Sequence, residues 1–186
     1  MKEIELKFQV KSLRPIVTSL KKEGCVLSKI LDQKDTVFVP DKNNTDSCEG
    51  SVWLRVREEN KKVELNYKKQ GNKKMSSKEI EFKVDSSDKA KEFLDELGFE
   101  KWVVVHKKRR TTKYKKYNIC LDEVVGLGFF VEIELLVPED DNNDYEEELH
   151  SIAYSLNISR GNRINSHYDT MIKELEDNNK KTDRNN

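Results

Sequence analysis

The sequence predicts an α+β protein of about eight antiparallel strands and a few helices. Several stretches alternate apolar and charged residues with a period of two, which is typical of strands that bury one face. Other stretches repeat apolar residues every three or four positions and end at a glycine, which is typical of helices. The chain of 186 residues is long enough for one sizeable core. We therefore expect a single domain over residues 1–176, followed by a disordered tail over residues 177–186.

The chain begins with strict alternation over residues 2–10, which predicts a strand. Ser12 is suited to cap a helix whose apolar stripe follows it, and Gly24 is suited to end that helix. Residues 26–39 then have the character of a strand. The polar stretch 41–50 that follows is rich in turn-forming residues, and we expect it to be a mobile linker.

Three more strands and a second helix follow the linker. The strands are expected around residues 52–57, 63–68 and 79–84, because apolar and polar residues alternate in each of them. Ser87 opens the second helix and Gly98 ends it. The order of elements resembles a loose repeat of the first part of the chain.

The remaining elements are predicted by the same two patterns. In order they are a long strand at 102–116, a strand at 118–124, a turn at 126–128, a strand at 129–137, and helices at 145–156 and 168–175.

One face of nearly every predicted strand is apolar and the other is densely charged. An open sheet could leave the charged face in water and cover the apolar face with helices. A closed barrel could instead turn the charged face inward around a tunnel and pack its helices on the outside. Periodicity alone leaves both arrangements open.

The charged face carries both bases and acids, often in pairs two residues apart that point to the same side. Its residues are Glu3, Glu5, Lys7, Arg55, Arg57, Lys68, Glu79, Glu81, Lys107, Arg109, Asp122, Glu132 and Glu134. Arginine and lysine from several directions suit a triphosphate, and paired carboxylates suit Mg²⁺ or Mn²⁺. An ordinary solvated face also mixes Glu and Lys, but repetition over several strands favours a binding wall.

Composition narrows the class of protein. The formal net charge is zero, which argues against a general nucleic-acid or membrane binder. The charges are nevertheless segregated, with eight bases and no acid in residues 101–117 and nine acids and no base in residues 132–148. Three cysteines without metal-type spacing predict neither disulfides nor a zinc site, so we expect a cytoplasmic protein.

The inward direction of Lys107 and Arg109 depends on a further condition in the long strand at 102–116. Lys107 shares its parity with Val103 and Val105, so a bulge or a change of burial has to intervene if Lys107 faces the tunnel. Lys108 and Arg110 are the alternative inward residues.

The opening Glu3-Ile4-Glu5-Leu6-Lys7 resembles the ExExK signature of the CYTH superfamily, the triphosphate tunnel metalloenzymes. Further motifs follow in that family's order: Leu54-Arg55-Val56-Arg57, Lys68, Glu79-Ile80-Glu81, Lys107-Lys108-Arg109, Leu121-Asp122-Glu123-Val124 and Glu132-Ile133-Glu134. The resemblance covers roughly residues 1–175. It implies a closed eight-stranded antiparallel β-barrel, the triphosphate tunnel, with helices packed on the outside.

The resemblance also implies roles for individual residues. The expected metal ligands for Mg²⁺ or Mn²⁺ are Glu3, Glu5, Asp122, Glu132 and Glu134. The expected triphosphate-binding residues are Lys7, Arg55, Arg57, Lys68, Lys107 and Arg109. The expected catalytic residues are Glu3, Glu5, Lys7, Glu81 and Asp122, with Glu79 in a supporting role. The implied partner is a nucleoside or inorganic triphosphate, and many family members are homodimers.

Two reactions and one binding function use such a tunnel. The segment Gln33–Phe38 is similar to a stretch typical of class IV adenylyl cyclases, with Val37 where tyrosine is usual, and this favours conversion of ATP to cyclic AMP and pyrophosphate. The alternative is an inorganic or organic triphosphatase that releases orthophosphate. A non-catalytic triphosphate or polyphosphate sensor is a third hypothesis, against which the complete carboxylate set argues.

Overall fold

The computed structural model describes residues 1–42, 50–70 and 76–183 and shows an α+β fold with one large antiparallel sheet and four helices. The strands are β1 (Lys2–Val10), β2 (Leu31–Val39), β3 (Val52–Glu59), β4 (Lys62–Gln70), β5 (Ser76–Val84), β6 (Glu100–Tyr114), β7 (Tyr117–Val124), β8 (Gly128–Val137) and β9 (Arg163–Ile164). The helices are α1 (Arg14–Lys22), α2 (Ser87–Glu96), α3 (Glu146–Ser155) and α4 (Tyr168–Asp183), with a 3₁₀ turn at Arg160–Asn162.

The sheet curls so that its two ends approach each other. Its order is β5-β4-β3-β2-β6-β7-β8-β1-β9, and β1 additionally pairs with β5. One edge of β1 pairs with β8 over its full length, whereas the other edge meets β5 at Glu3 and Ile4 and meets β9 at Lys7 and Phe8. The predicted α+β class is confirmed and a tunnel-type fold fits. A barrel closed by continuous hydrogen bonding is not shown, because this edge of β1 pairs with β5 at two residues and with the short β9 at two others.

The outer, apolar face of the sheet is covered by three helices. Leu6 and Phe8 of β1 lie in one buried cluster with Leu20 of α1 and Leu149 of α3. On the β3–β4 side, a second cluster contains Leu94 of α2. Burial of these apolar side chains is the main favourable term that holds helices against the sheet.

Local signals set the helix ends close to the predicted positions. Ser86, rather than Ser87, caps α2, because its side chain accepts a hydrogen bond from the backbone N–H of Lys89. Before α1, the Ser12 hydroxyl accepts one from the backbone N–H of Arg14. Gly24 follows α1 with a φ of 77°, a conformation that glycine adopts without steric cost.

Helix α4 packs against one end of the inner face rather than outside the sheet. Its residues Tyr168 and Ile172 share a buried apolar cluster with Val103 and Val105 of β6 and with Trp53 of β3. The inner face is therefore apolar at the end that α4 covers and charged further along. Lys107 keeps the parity of the two valines because the neighbours on this face change from apolar to charged along the strand.

The sequence analysis requires a bulge or a change of burial near Lys107. A bulge occurs, but burial does not change, because Val103, Val105 and Lys107 are each 3% exposed. The register between β2 and β6 shifts where Val37 pairs with Val103 and Phe38 pairs with Lys101, which leaves Trp102 as the extra residue. From Val103 to Arg109 the register is continuous. The bulge thus precedes the valines and leaves the parity of Lys107 unchanged. Lys107 faces inward like the valines, and Asp122 rather than an apolar cluster lies beside its ammonium group.

The C-terminal helix is longer than the sequence analysis expects. Residues 177–183, where we expect a disordered tail, continue α4 as helix. An ion pair of 3.0 Å between Lys173 and Asp177, one turn apart, and lysines in the last turn favour this extension. Residues 43–49 of the expected linker lie outside the described residues. None of the described helices combines the length and the apolar composition that crossing a membrane requires.

Two neighbouring leucines of β8 can show which side chains of this strand point into the outer core. Leu135 is 5% exposed in the outer core and Leu136 is 58% exposed. We expect Leu135→Ala to lower the free energy of unfolding by about 2–5 kcal/mol, because it leaves a buried cavity. Leu136→Ala should change it by less than about 0.5 kcal/mol. Urea denaturation of both variants measures this difference, and equal effects would contradict the register of β8.

Candidate functional site

The middle of the inner face brings together most of the charged residues that the sequence singles out. Five of them are almost completely buried: Lys7, Lys107, Asp122, Glu132 and Glu134. Buried charges are costly unless they are paired and hydrogen-bonded. The pairing of these groups therefore shows how the site is organised.

Arg109 of β6 lies at the centre of the network. Its Nε donates to Oδ1 of Asp122 at 2.7 Å, its guanidinium also hydrogen-bonds Glu132, and Nη1 lies 3.9 Å from Oε1 of Glu134. Burial opposes the charge of Arg109, but the carboxylates of Glu132 and Asp122 outweigh it and raise the pKa of Arg109. Arg109 thus links β6 to β7 and β8.

Two lysines flank this centre. Nζ of Lys107 lies 3.5 Å from Asp122, and Nζ of Lys7 lies 3.4 Å from Glu132. Burial is the largest cause that lowers the pKa of Lys107, and the charge of Arg109 adds to it. These lysines, together with Arg109, give the inner wall three cations that converge from β1 and β6.

Tyr168 forms the floor of the cationic cluster, a role that sequence reasoning missed. Its hydroxyl donates to Oδ2 of Asp122 at 3.1 Å. The ammonium groups of Lys7 and Lys107 lie 4.2 Å and 5.0 Å from the centre of its ring, within the range of cation–π attraction. The first residue of α4 therefore contacts the charged site and the apolar end of the inner face.

Asp35 organises a second pair of arginines. Its carboxylate accepts two hydrogen bonds of 2.7 Å from Arg57 and lies 3.8 Å from Arg55. Burial alone would raise the pKa of Asp35, but the Arg57 hydrogen bond and the charges of both arginines lower it well below its usual range. Asp35 shares the parity of Gln33 in β2, which is the signal that could have identified it.

Lys68 and Glu79 form a third pair, between β4 and β5, at 3.0 Å. Asn66 donates to Glu79 at 3.2 Å. Burial raises the pKa of Glu79, but the charges of Lys68 and Arg55 outweigh it and bring the pKa to about 2. Glu81 is exposed and lies 3.5 Å from the Asn66 amide, so the structure leaves this residue outside the buried cluster.

The carboxylates of β1 and β8 lie together with too little positive charge between them. Glu5 pairs in register with Glu134. Burial, followed by the charges of Glu134, Glu5 and Glu79, raises the pKa of Glu3 to about 8. Burial and the charge of Glu132 likewise raise the pKa of Glu134. Such mutual repulsion fits a place for a cation.

The donor atoms of this acidic group suit a divalent metal ion. Ligand atoms of Glu132, Glu134 and Cys120 lie within 4.8 Å of one another. Carboxylate oxygens are the ligands that Mg²⁺ and Mn²⁺ prefer. Cys120, which sequence reasoning did not select, hydrogen-bonds Glu134 at 3.1 Å. Asp122 is engaged by Arg109 and Tyr168, and Glu132 is likewise engaged by Arg109 and Lys7, so a metal ion would share both carboxylates with these groups.

The structure also places the alternative residues of β6. Lys108 is exposed, and Nε of Arg110 donates to the backbone oxygen of Ser28 at 3.0 Å, outside the network. His106 is exposed and pairs with Asp32 at 2.7 Å. Lys107 and Arg109 are therefore the inward residues of this strand.

Known proteins of similar sequence and structure support the interpretation of this geometry. The chain is 31% identical over 171 residues to a Methanocaldococcus jannaschii protein with a provisional adenylate cyclase name, a match that covers 90% of this chain and 97% of that protein. The PH1819 protein of Pyrococcus horikoshii has a similar structure, with a TM-score of 0.74 and 29% identity over 92% of this chain and 99% of that chain.

A Hippeastrum protein shares the fold with a TM-score of 0.61 at 16% identity, over 94% of this chain and 95% of that chain. Its description is that of an adenylyl cyclase candidate with a dominant triphosphatase activity. The CYTH domain family matches residues 1–168, the whole span from β1 to the first residue of α4. With the signature of charged pairs on the inner face, this match shows that the chain belongs to the CYTH domain family.

Proposed function

We propose that the curled sheet encloses a tunnel that binds a triphosphate and cleaves it with the help of a divalent metal ion. The observation that carries this proposal is the arrangement of buried bases and buried acids on one inner wall. A triphosphate supplies the negative charge that the bases bind, and a divalent cation supplies the positive charge that the acids bind. A ligand with charge of only one sign would interact favourably with only the bases or only the acids of the wall.

The basic half consists of residues from four strands: Lys7, Arg55, Arg57, Lys68, Lys107 and Arg109. In the described residues most of them are paired with an acid, such as Arg57 with Asp35. Phosphate oxygens would take the place of these carboxylates, or would bind the same bases beside them. Arginine is suited to this exchange because its planar fork binds carboxylate and phosphate in the same bidentate geometry.

The acidic half would hold Mg²⁺ or Mn²⁺ with Glu3, Glu5, Glu132 and Glu134. Bound there, the metal would neutralise charge on the phosphates and orient them. Glu79, Glu81 and Asp122 are then supporting acids. Asp122 positions Arg109 and Lys107, because both cations lie against its carboxylate.

The reaction that we favour is the cyclase type, in which the ribose 3′-hydroxyl of ATP attacks the α-phosphorus and pyrophosphate leaves. The provisional cyclase name of the M. jannaschii relative supports it. The alternative is attack of water on the terminal phosphorus with release of orthophosphate, which the dominant triphosphatase activity of the Hippeastrum protein supports. Both reactions depend on positioning and charge neutralisation more than on covalent help from the protein.

Gln33 favours a substrate with an organic part. Its side chain is 3% exposed, and its Nε2 donates to Glu59 at 2.6 Å. Among the described residues, its Oε1 has no donor. ATP carries hydroxyl and amino groups that could donate to this oxygen, whereas fully ionised tripolyphosphate carries none.

Product analysis tests the reaction. Purified protein with Mg²⁺ or Mn²⁺ would be given ATP or tripolyphosphate and followed by phosphorus NMR. We expect pyrophosphate and cyclic AMP from ATP. Orthophosphate, formed fastest from tripolyphosphate, would replace the cyclase reaction with the triphosphatase reaction. Binding without any product would instead support the sensor.

A single substitution separates catalysis from binding. We expect Glu5→Gln to lower kcat by about a hundredfold or more, because it removes a metal ligand, while triphosphate affinity changes little. Glu139→Gln makes the same change on an exposed side chain and should leave kcat unchanged. Steady-state kinetics and calorimetric binding measure the two effects, and unchanged turnover in Glu5→Gln would contradict the metal assignment.

Metal binding should release a proton near neutral pH. Glu3, with its pKa of about 8, is protonated below that pH, so the metal ion competes with the proton and binds more tightly as the pH rises towards 8. At pH 7 we expect roughly 0.9 proton released from Glu3 per metal ion. Calorimetric titration with Mn²⁺ in two buffers of different ionisation enthalpy measures this number.

Glu3→Gln is the matched control for the proton count. This variant should release distinctly fewer protons at pH 7, and the wild type should release fewer at pH 9.5 because Glu3 is then already ionised. Equal release by both proteins at pH 7 would show that Glu3 does not carry the proton.

A further inference from the structure

A small recess lies where the charged part of the inner face meets the apolar end covered by α4. Trp53 and Val37 form one side, and His167, the residue before α4, faces them. The rings of Trp53 and His167 lie 6.0 Å apart at an angle of 51°. Arg55, Asn66 and Lys68 complete the wall towards the charged site.

The size of the recess limits what it can hold. Its volume is about 40 Å³. Since one water molecule needs roughly 10–15 Å³ on this scale, the recess has room for about three oxygen-sized groups. A nucleobase is much larger. Three oxygens around one centre correspond to the end of a phosphate chain.

The polar groups of the recess suit an anion. Nε of Arg55 is buried and has no hydrogen-bond partner among the described residues, so it has a donor to offer. The Lys68 ammonium and the Asn66 amide also border the recess; each contacts Glu79, but an ammonium has three N–H groups, so Lys68 keeps a donor for an anion. Asp169, the acid among the described residues that line the recess, already accepts a hydrogen bond of 2.7 Å from the backbone N–H of Thr170.

The recess ends at packed side chains. Trp53 and Val37 belong to the buried cluster that also contains Val103, Val105 and Tyr168. A phosphate chain that enters from the charged site therefore meets the Trp53–His167 wall and the body of α4 behind it. Any substituent on the last phosphate would have to occupy space that these side chains fill.

We propose that this recess is a compartment for a free terminal phosphoryl group, and that its wall of Trp53 and His167 selects triphosphates whose last phosphate carries no ester. The inference rests on the proposed function and adds the direction of binding: the terminal phosphate lies next to α4 and the organic group lies towards the other end of the inner face. Gln33, four residues before Val37 on the same face of β2, lies towards that end, about 13 Å away.

The test compares ATP with ATP that carries a methyl ester on its terminal phosphate. Binding is measured by calorimetry with EDTA present, so that metal-dependent turnover does not interfere. We expect the wild type to bind ATP at least about thirtyfold more tightly than the ester, because the methyl group clashes with His167 and one charge is lost. In His167→Ala the clash is removed, and the ratio should fall to about threefold.

The loss of one charge on the ester is the same for every protein variant, so the change in the ratio reports the wall alone. His106→Ala removes a histidine from the exposed outer face and should keep the wild-type ratio. Far-UV circular dichroism of the wild type and of each variant checks that it is folded.

The outcomes distinguish the two proposals. Tight binding of ATP and tripolyphosphate with an unchanged ratio in His167→Ala would overturn the compartment and leave the proposed function standing. Failure of the folded wild type to bind either compound, with and without Mn²⁺, would overturn the proposed function itself. A ratio that falls in His167→Ala and not in His106→Ala supports the compartment.

Discussion

The structure depends on the pairing of charges that are buried away from bulk water. Arg109 alone contacts acids from two neighbouring strands, Asp122 and Glu132. Removing one partner from such a pair leaves an uncompensated buried charge, which costs several kcal/mol. The inner wall can therefore form only if acids and bases from distant parts of the chain reach it together.

Acidic and basic charges do not compensate each other equally across the wall, and the candidate metal site lies where acids are in excess. Around Arg109 and Asp35 the charges compensate, whereas around Glu3 and Glu134 carboxylates face one another. A fold stabilised throughout by neutral pairs would have no reason to bind ions. Under the proposed function, the local excess of acid is the place for the metal ion and the neighbouring arginines are the place for the polyanion, so that each ligand neutralises charge of the opposite sign.

Much of the fold was predictable because strands with one apolar face have a period that the sequence displays directly. The same parity placed Lys7, Glu132 and Glu134 on one wall. It did not predict Tyr168 as the floor of the site, because a tyrosine that begins a helix shows no period of two. It also could not predict the divided edge of β1, since pairing between distant strands is not encoded in local alternation. Asp35 has the same parity as Gln33 in β2, so the alternation of that strand predicts its inward direction as well. The sequence analysis includes it only as part of the Gln33–Phe38 motif.

The shared edge of β1 has a consequence for how the protein is made. The first strand leaves the ribosome early, yet its partners β8 and β9 belong to the last part of the chain. Until they arrive, an alternating strand with unpaired backbone groups is exposed to other nascent chains. Pairing between such distant segments is also slow. The charged side chains of β1 then discourage association with a second copy, so the residues that we assign to ligand binding would also guard the unfinished polypeptide during synthesis.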